Sequence, residues 1–131
     1  MNLVDTSGWI EYFTDGPNAE FFAPAIEDTG RLVVSVISMY EAAKKVRAEG
    51  GEAAALRAIA QMKEGRVAPV TEGVALAAAV VSAESRILMA DSLIYATARS
   101  LRATLWTQDE HFRSLPGVRY CAARPTQKGK A

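Results

Sequence analysis

One cysteine and one histidine stand in this chain of 131 residues. Cys121 therefore has no intrachain disulfide partner, and a lone imidazole at His111 excludes a multi-histidine or cysteine-rich zinc site. Charge of one sign is also missing. Fifteen basic and fifteen acidic residues cancel, with a pI near 6.6, so no global field draws the protein to nucleic acid or membrane and any polyanion site must be local. There is neither a G-x-G-x-x-G after the first apolar run nor a G-x-x-x-x-G-K-[ST], which argues against a dinucleotide site and a P-loop. The longest nearly uncharged apolar stretch, Gly73 to Ala83, falls far short of the roughly 18 residues that span a bilayer. No charged, apolar, small-residue leader opens the sequence. These absences predict a cytoplasmic protein with no membrane partner.

What is present is an apolar half of the composition, enough for one domain with a core that needs no staple. Met1 to Val4 predicts a first strand, ended by the turn-favouring Asp5-Thr6-Ser7-Gly8. Trp9, Ile10 and Phe13 follow at helical spacing, and after Asp15-Gly16-Pro17-Asn18 a second helix runs from Ala19 to about Asp28. Arg31 to Ile37, rich in β-branched residues, predicts a second strand ending at Ser38. Helices are predicted over Met39 to Ala48 and Glu52 to Glu64, separated by Gly50-Gly51. Val67 to Thr71 predicts a third strand, at a sheet edge because it contains Pro69. A helix from Glu72 to Glu84, apolar nearly all round, predicts burial against neighbours or a partner subunit. A helical face starting near Asp91, a strand from Thr104 to Trp106, a helical turn at Asp109 to Arg113 and an edge strand from Val118 to Cys121 complete the chain. Strands alternating with helices imply a three-layer α/β/α fold with a mainly parallel sheet.

Four carboxylates stand where apolar runs give way to predicted helix starts: Asp5, Glu41, Asp91 and Asp109. Each has a local explanation. Ser38-Met39-Tyr40-Glu41 and Thr107-Gln108-Asp109-Glu110 read as capping boxes, and Asp5 and Asp91 can favour a helix N-terminus through its dipole. The alternative is collective. Asp5, Glu41 and Asp109 follow the first, second and fourth strands, whose C-termini share one sheet edge. Topology alone leaves Asp91 open. At about 5 Å each ionised pair would repel by about 3 kcal/mol at an effective dielectric near 20, so converging acids require protons or divalent cations. Oxygen ligands of this kind select Mg²⁺ or Mn²⁺.

Four segments in order carry a family resemblance: Leu3-Val4-Asp5-Thr6-Ser7, Ser38-Met39-Tyr40-Glu41, Met89 to Ala98, and Thr107-Gln108-Asp109-Glu110-His111-Phe112. They resemble the motifs of PIN-domain ribonucleases, and among them the VapC-type toxins. The resemblance implies a PIN domain over residues 1–122 and a sheet of order 3-2-1-4-5, while the Pro, Gln, Lys and Gly residues that follow predict a flexible C-terminal tail over 123–131. It implies an acidic pocket that binds Mg²⁺ or Mn²⁺ at the C-terminal edge of that sheet. Asp5, Glu41, Asp91 and Asp109 match the family's acids, and Thr107 its small hydroxyl residue. The chain departs from many relatives at Ser85 to Leu88, where a glycine-containing loop is usual, and this segment is expected to reshape the pocket wall.

The activity so implied is metal-dependent endoribonuclease action on structured RNA, tRNA or rRNA, that inhibits translation. Asp5, Asp91 and Asp109 would be metal ligands, Glu41 a ligand or the group orienting the attacking water, and Thr107 the residue positioning Asp109 or a water. The family implies two partners besides RNA: a VapB-type antitoxin and a second copy of the chain. RNA would be held by Lys44, Lys45, Arg47, Arg86 and Arg99, although Lys44 and Lys45 also stand where they could pair with Glu41 along a helix. Arg124, Lys128 and Lys130 read as solvated tail residues, and Trp9, Tyr12 and Phe13 as a core-facing stripe in preference to base-stacking groups. The alternative within the fold is a PIN-like module that binds RNA or protein without cutting. A receiver-like domain would carry an acidic pair at the first strand and a haloacid-dehalogenase-type phosphatase a D-x-D; Asn2-Leu3-Val4-Asp5-Thr6-Ser7 offers neither.

Overall fold

The computed structural model describes residues 1–125. Its sheet has five parallel strands, β1 (Asn2–Val4), β2 (Leu32–Ser35), β3 (Arg66–Ala68), β4 (Thr104–Thr107) and β5 (Val118–Tyr120), in the order β3-β2-β1-β4-β5. Helices α1 (Thr6–Phe13), α2 (Ala19–Glu27), α3 (Val36–Met62), α4 (Glu72–Ser85) and α5 (Met89–Ser100) supply the crossovers. Neighbours along a strand point to opposite faces, so the sheet divides its apolar residues between two cores. Leu3, Val33 and Leu105 pack with Ile94, Tyr95 and Phe112 on one face. Val4, Val34 and Trp106 pack with Trp9, Phe22, Ile26 and Met62 on the other. The three-layer α/β/α fold is the one the alternation of strands and helices predicts, and the strand order is the one the family resemblance implies.

Chain order reverses at β1, which lies between β2 and β4. Ligands of open α/β sheets bind outside strand C-termini at such a switch point. Asp5 and Asp109 follow the adjacent strands β1 and β4, and the Asp5 N–H bonds the Trp106 carbonyl at 3.1 Å.

Several boundaries move. β2 ends at Ser35, and Val36 and Ile37 open α3 instead of prolonging the strand, because the Ser35 hydroxyl accepts the Ile37 N–H at 3.1 Å and caps the helix. Ser38 therefore lies buried inside α3, the predicted Ser38–Glu41 capping box does not form, and Glu41 sits in the second helical turn. The glycine pair does break the helix: Gly51 has φ 88°, a left-handed value that bends α3 into two segments. β3 is an edge strand as predicted, but Pro69 follows it and the ladder loses no donor.

Helix α4 is buried along one side only, where Val74 and Ala78 pack with Ala96 of α5. Leu76 and Val80 remain exposed, so the expected all-round burial is not met within the chain. Trp9, Tyr12 and Phe13 belong to the core, with Trp9 fully buried 5.4 Å from the Phe13 ring. Arg124 is not merely solvated: its Nε donates to Asn18 Oδ1 at 2.8 Å and its Nη2 to the Pro17 carbonyl. Lys128 and Lys130, with most of the expected tail, lie outside the described residues. Among the described residues no single helix is long and apolar enough to cross a membrane.

Candidate metal centre

A cleft of about 450 Å³ at the C-terminal edge of the sheet is lined by Asp5, Glu41, Asp91 and Asp109, together with Thr6, Ser7, Ile10, Glu11, Lys45 and Gln108. The four acids arrive there by four local devices. Asp5 is the N-cap of α1; its Oδ1 accepts the Gly8 N–H at 2.9 Å and the Ser7 hydroxyl at 2.7 Å. Asp109 caps a 3-10 turn, Glu110–Phe112, and its Oδ1 accepts the His111 N–H at 2.9 Å. Asp91 stands in the first turn of α5, which starts back at this edge because the two-helix crossover α4–α5 leads into β4. Glu41 projects from α3, and its Oε1 accepts the Thr6 hydroxyl at 2.6 Å.

Thr107 at the end of β4 joins two of these acids. Its hydroxyl donates to Asp5 Oδ2 at 2.6 Å and accepts the Asp109 backbone N–H at 2.9 Å. Among the described residues Asp5 thus receives three hydrogen bonds on two oxygens and keeps one unused lone pair on Oδ2. Burial nevertheless pushes its carboxyl up to about 6, against the Thr107, Ser7 and Gly8 donors, which favour the ionised form, and with a further rise from the Asp109 charge. Burial also raises Asp91, helped by the charges of Asp109 and Glu41 and opposed by His111. The acids therefore share one electrostatic field.

The tightest group among the described residues is Asp91, Asp109 and His111, each offering one ligand atom within 4.8 Å of the other two. Ligands of one octahedral ion with bonds of about 2.1 Å stand about 3.0 to 4.2 Å apart, a range that a triad bounded at 4.8 Å approaches. Hard carboxylate oxygens that raise one another's proton affinity suit a divalent cation such as Mg²⁺ or Mn²⁺. Asp5 and Glu41 line the same cleft but stand outside the triad.

Of the five basic residues expected to hold RNA, all among the described residues, the cleft includes Lys45 alone. Successive helical residues are about 100° apart. Hence Glu41 and Lys45 share the cleft face, whereas Lys44 and Arg47 turn with Tyr40 and Ala43 to a separate groove bounded by Ala55, Leu56 and Ile59. Lys45 pairs with Glu49 at 2.8 Å, and Lys44 lies 5.9 Å from the centre of the Tyr40 ring, so neither takes the local pairing with Glu41. Arg99 is in the last turn of α5, at the opposite end from Asp91, and Arg86 caps the C-terminus of α4 with φ 58°. Ser85 to Leu88 contribute nothing to the cleft lining; Ile87 enters the core and Leu88 is exposed.

Two features escaped the sequence reading. His111 reaches Asp109, with Nδ1 2.9 Å from Oδ1, and the available signal was its position two residues after the last acid. Glu11 adds a fifth carboxylate to the cleft wall, held by the Asn18 N–H at 2.7 Å and by Gln108 Nε2 at 3.3 Å. Nothing local marks Glu11, since a mid-helix glutamate is ordinary.

The PIN domain family model matches residues 3–118. No curated protein matches the sequence. Among solved structures, the chain is similar to a toxin–antitoxin complex from Klebsiella pneumoniae (TM-score 0.78, 21% identity, 91% of this chain and 96% of that one). It is similar also to VapC20 of Mycobacterium tuberculosis, a sarcin–ricin loop cleaving toxin (TM-score 0.72, 20% identity, 95% and 100% covered). VapBC2 from Rickettsia felis, bound to a DNA fragment from its promoter, matches with TM-score 0.72 and 15% identity over 92% and 97% of the two chains. With the family model spanning nearly the whole chain and the strand order matching, this protein belongs to the PIN-domain family and has the fold of the VapC toxins.

Proposed function

We propose that this chain is a Mg²⁺- or Mn²⁺-dependent endoribonuclease and the toxin of a VapBC-type pair, acting in the cytoplasm on tRNA or rRNA and so inhibiting translation. The observation that carries the reading is the meeting of Asp91 and Asp109 in one cleft with Asp5 and Glu41, although the four are spread from residue 5 to residue 109. Independent helix caps have no reason to meet.

When bound, a divalent cation makes water easier to deprotonate and stabilises the charge that develops at phosphorus during in-line displacement. Asp91 and Asp109 would hold it through carboxylate oxygens, and Asp5 would add the free lone pair of Oδ2. Thr107 fixes the Asp5 carboxylate and the Asp109 backbone at once, keeping both ligands in register. Glu41, steadied by Thr6, orients the attacking water and takes its proton. The water oxygen attacks phosphorus, the bond to the 3′ oxygen breaks, and that oxygen takes a proton from solvent water, giving a 3′-hydroxyl and a 5′-phosphate. Lys45 at the cleft rim meets the RNA backbone.

Two surfaces support protein partners. The groove of about 380 Å³ along α3, with Tyr40 and Leu56 exposed beside Lys44 and Arg47, suits an amphipathic antitoxin segment. Exposed Leu76, Val80, Leu88 and Met89 offer apolar area for a homodimer.

The test is cleavage of a total RNA pool by the purified chain with Mg²⁺, Mn²⁺ or chelator, with cut ends mapped. The reading expects 5′-phosphate ends, no cleavage in chelator, and a loss of roughly 100-fold or more in Asp5→Asn and Asp91→Asn. Cyclic phosphate ends, or cleavage by Asp91→Asn at the wild-type rate, would overturn it. RNA binding without any cutting would assign the chain to the non-catalytic modules instead.

A further inference from the structure

His111 is the one imidazole in the chain, and it stands at the acid cluster. Its side chain is 66% exposed, so packing does not explain its position. The 3-10 turn Glu110–Phe112 buries Phe112 in the core and swings the imidazole back over Asp109, the residue that caps the turn. Nδ1 comes to 2.9 Å from Asp109 Oδ1, a hydrogen-bond distance and one that equals, within about 0.1 Å, the spacing of adjacent ligands on an octahedral ion with bonds near 2.1 Å. Both the His111 backbone N–H and its ring fall on Oδ1, and Oδ2 of Asp109 carries no hydrogen bond among the described residues.

We propose that His111 is a nitrogen ligand of the cation held by Asp91 and Asp109, and that it biases the centre toward Mn²⁺ over Mg²⁺. The inference rests on the metal-centre reading above and adds a donor type to it. Mg²⁺ prefers oxygen and sheds its waters reluctantly, whereas a first-row transition ion accepts imidazole. A centre of two carboxylates and one imidazole therefore discriminates between the two ions, which a centre of carboxylates alone does weakly. Ligation uses the neutral ring, its remaining proton on the nitrogen facing away from the ion.

The experiment titrates the full chain with Mn²⁺, following free Mn²⁺ by electron paramagnetic resonance and the bound ion by electron spin echo modulation, with Mg²⁺ as competitor. Wild type is expected to show ¹⁴N modulation from a directly bound nitrogen. His111→Asn should abolish that modulation and reduce the preference for Mn²⁺ over Mg²⁺ at least about tenfold, with unchanged circular dichroism because the side chain is exposed. If Mn²⁺ binds wild type, is lost in Asp91→Asn, yet shows no nitrogen coupling and an unaltered preference in His111→Asn, the histidine ligand is wrong and the carboxylate centre stands. If wild type binds no Mn²⁺ at all, both are wrong.

Discussion

The Thr107 hydroxyl donates a hydrogen bond to Asp5 Oδ2 at 2.6 Å, and the same oxygen accepts the N–H of Asp109 at 2.9 Å. One fully buried side chain thereby ties the ends of β1 and β4, the two strands that flank the switch point of the sheet. Thr107→Val keeps the shape and removes both bonds. It should cost about 1–3 kcal/mol in denaturant unfolding, since a buried carboxylate loses a donor and a backbone N–H its acceptor. RNA cleavage should fall with it, and Thr107→Ser should restore both; equal stability in Val and wild type would refute the tie.

Stability in chelator should depend on pH through Asp5. Its carboxyl titrates near 6 when folded and near 3.8 when unfolded, so between those values the folded state binds more protons. The contribution is present below pH 3.8 and is lost as pH rises through 6, amounting to on the order of 3 kcal/mol. Thermal melts of wild type against Asp5→Asn should converge at acid pH and diverge toward neutrality, with wild type the relatively weaker. Mn²⁺ at neutral pH should raise the wild-type melting point by binding the folded form alone. A difference between the two proteins that is flat from pH 4 to 7 would contradict the burial argument.

Gly8 is on the buried face of α1, where an added Cβ would meet Val4 Cγ1 at 2.5 Å and the Phe22 ring at 2.6 Å. Gly8→Ala should therefore push α1 off the core at a cost of about 1–3 kcal/mol. Because the Gly8 N–H also holds Asp5 Oδ1, cleavage should drop beyond what lost stability explains. Assays well below the melting point of the variant separate the two effects.

Glu41 raises the proton affinity of Asp91 by its charge. Glu41→Gln keeps an acceptor for Thr6 while removing that repulsion, so in chelator it should unfold a few tenths to about 1 kcal/mol later than wild type. With Mn²⁺ present, cleavage should decline. A variant less stable than wild type in chelator would mean that Glu41 serves the fold and not the site.

The residues explain why the sequence reading was right in some places and wrong in others. The strand over Leu32 to Ser35 is legible because four apolar or small residues between turn signals can be buried on both faces. Its end is not legible, because Val36 and Ile37 have strand propensity and the decision belongs to the Ser35 cap, one hydrogen bond against a weak preference. Asp5 and Asp109 are readable as acids just past β1 and β4. Arg99 stands outside the cleft because a helix of twelve residues carries its last turn well away from its first.

What the sequence by itself determined is local: alternating strands and helices, the turn residues between them, a neutral composition without metal-binding cysteines, and acids at strand ends. Those follow from periodicity and backbone chemistry, which reach only a few residues along the chain. Tertiary structure alone decided that Asp91 comes back to the edge where Asp5 and Asp109 stand, that Lys45 faces the cleft while Lys44 turns away, and that Glu11 adds to the cleft wall. Such convergence depends on which strand lies beside which and on the rotation of each helix against the sheet, both set by burying two separate cores.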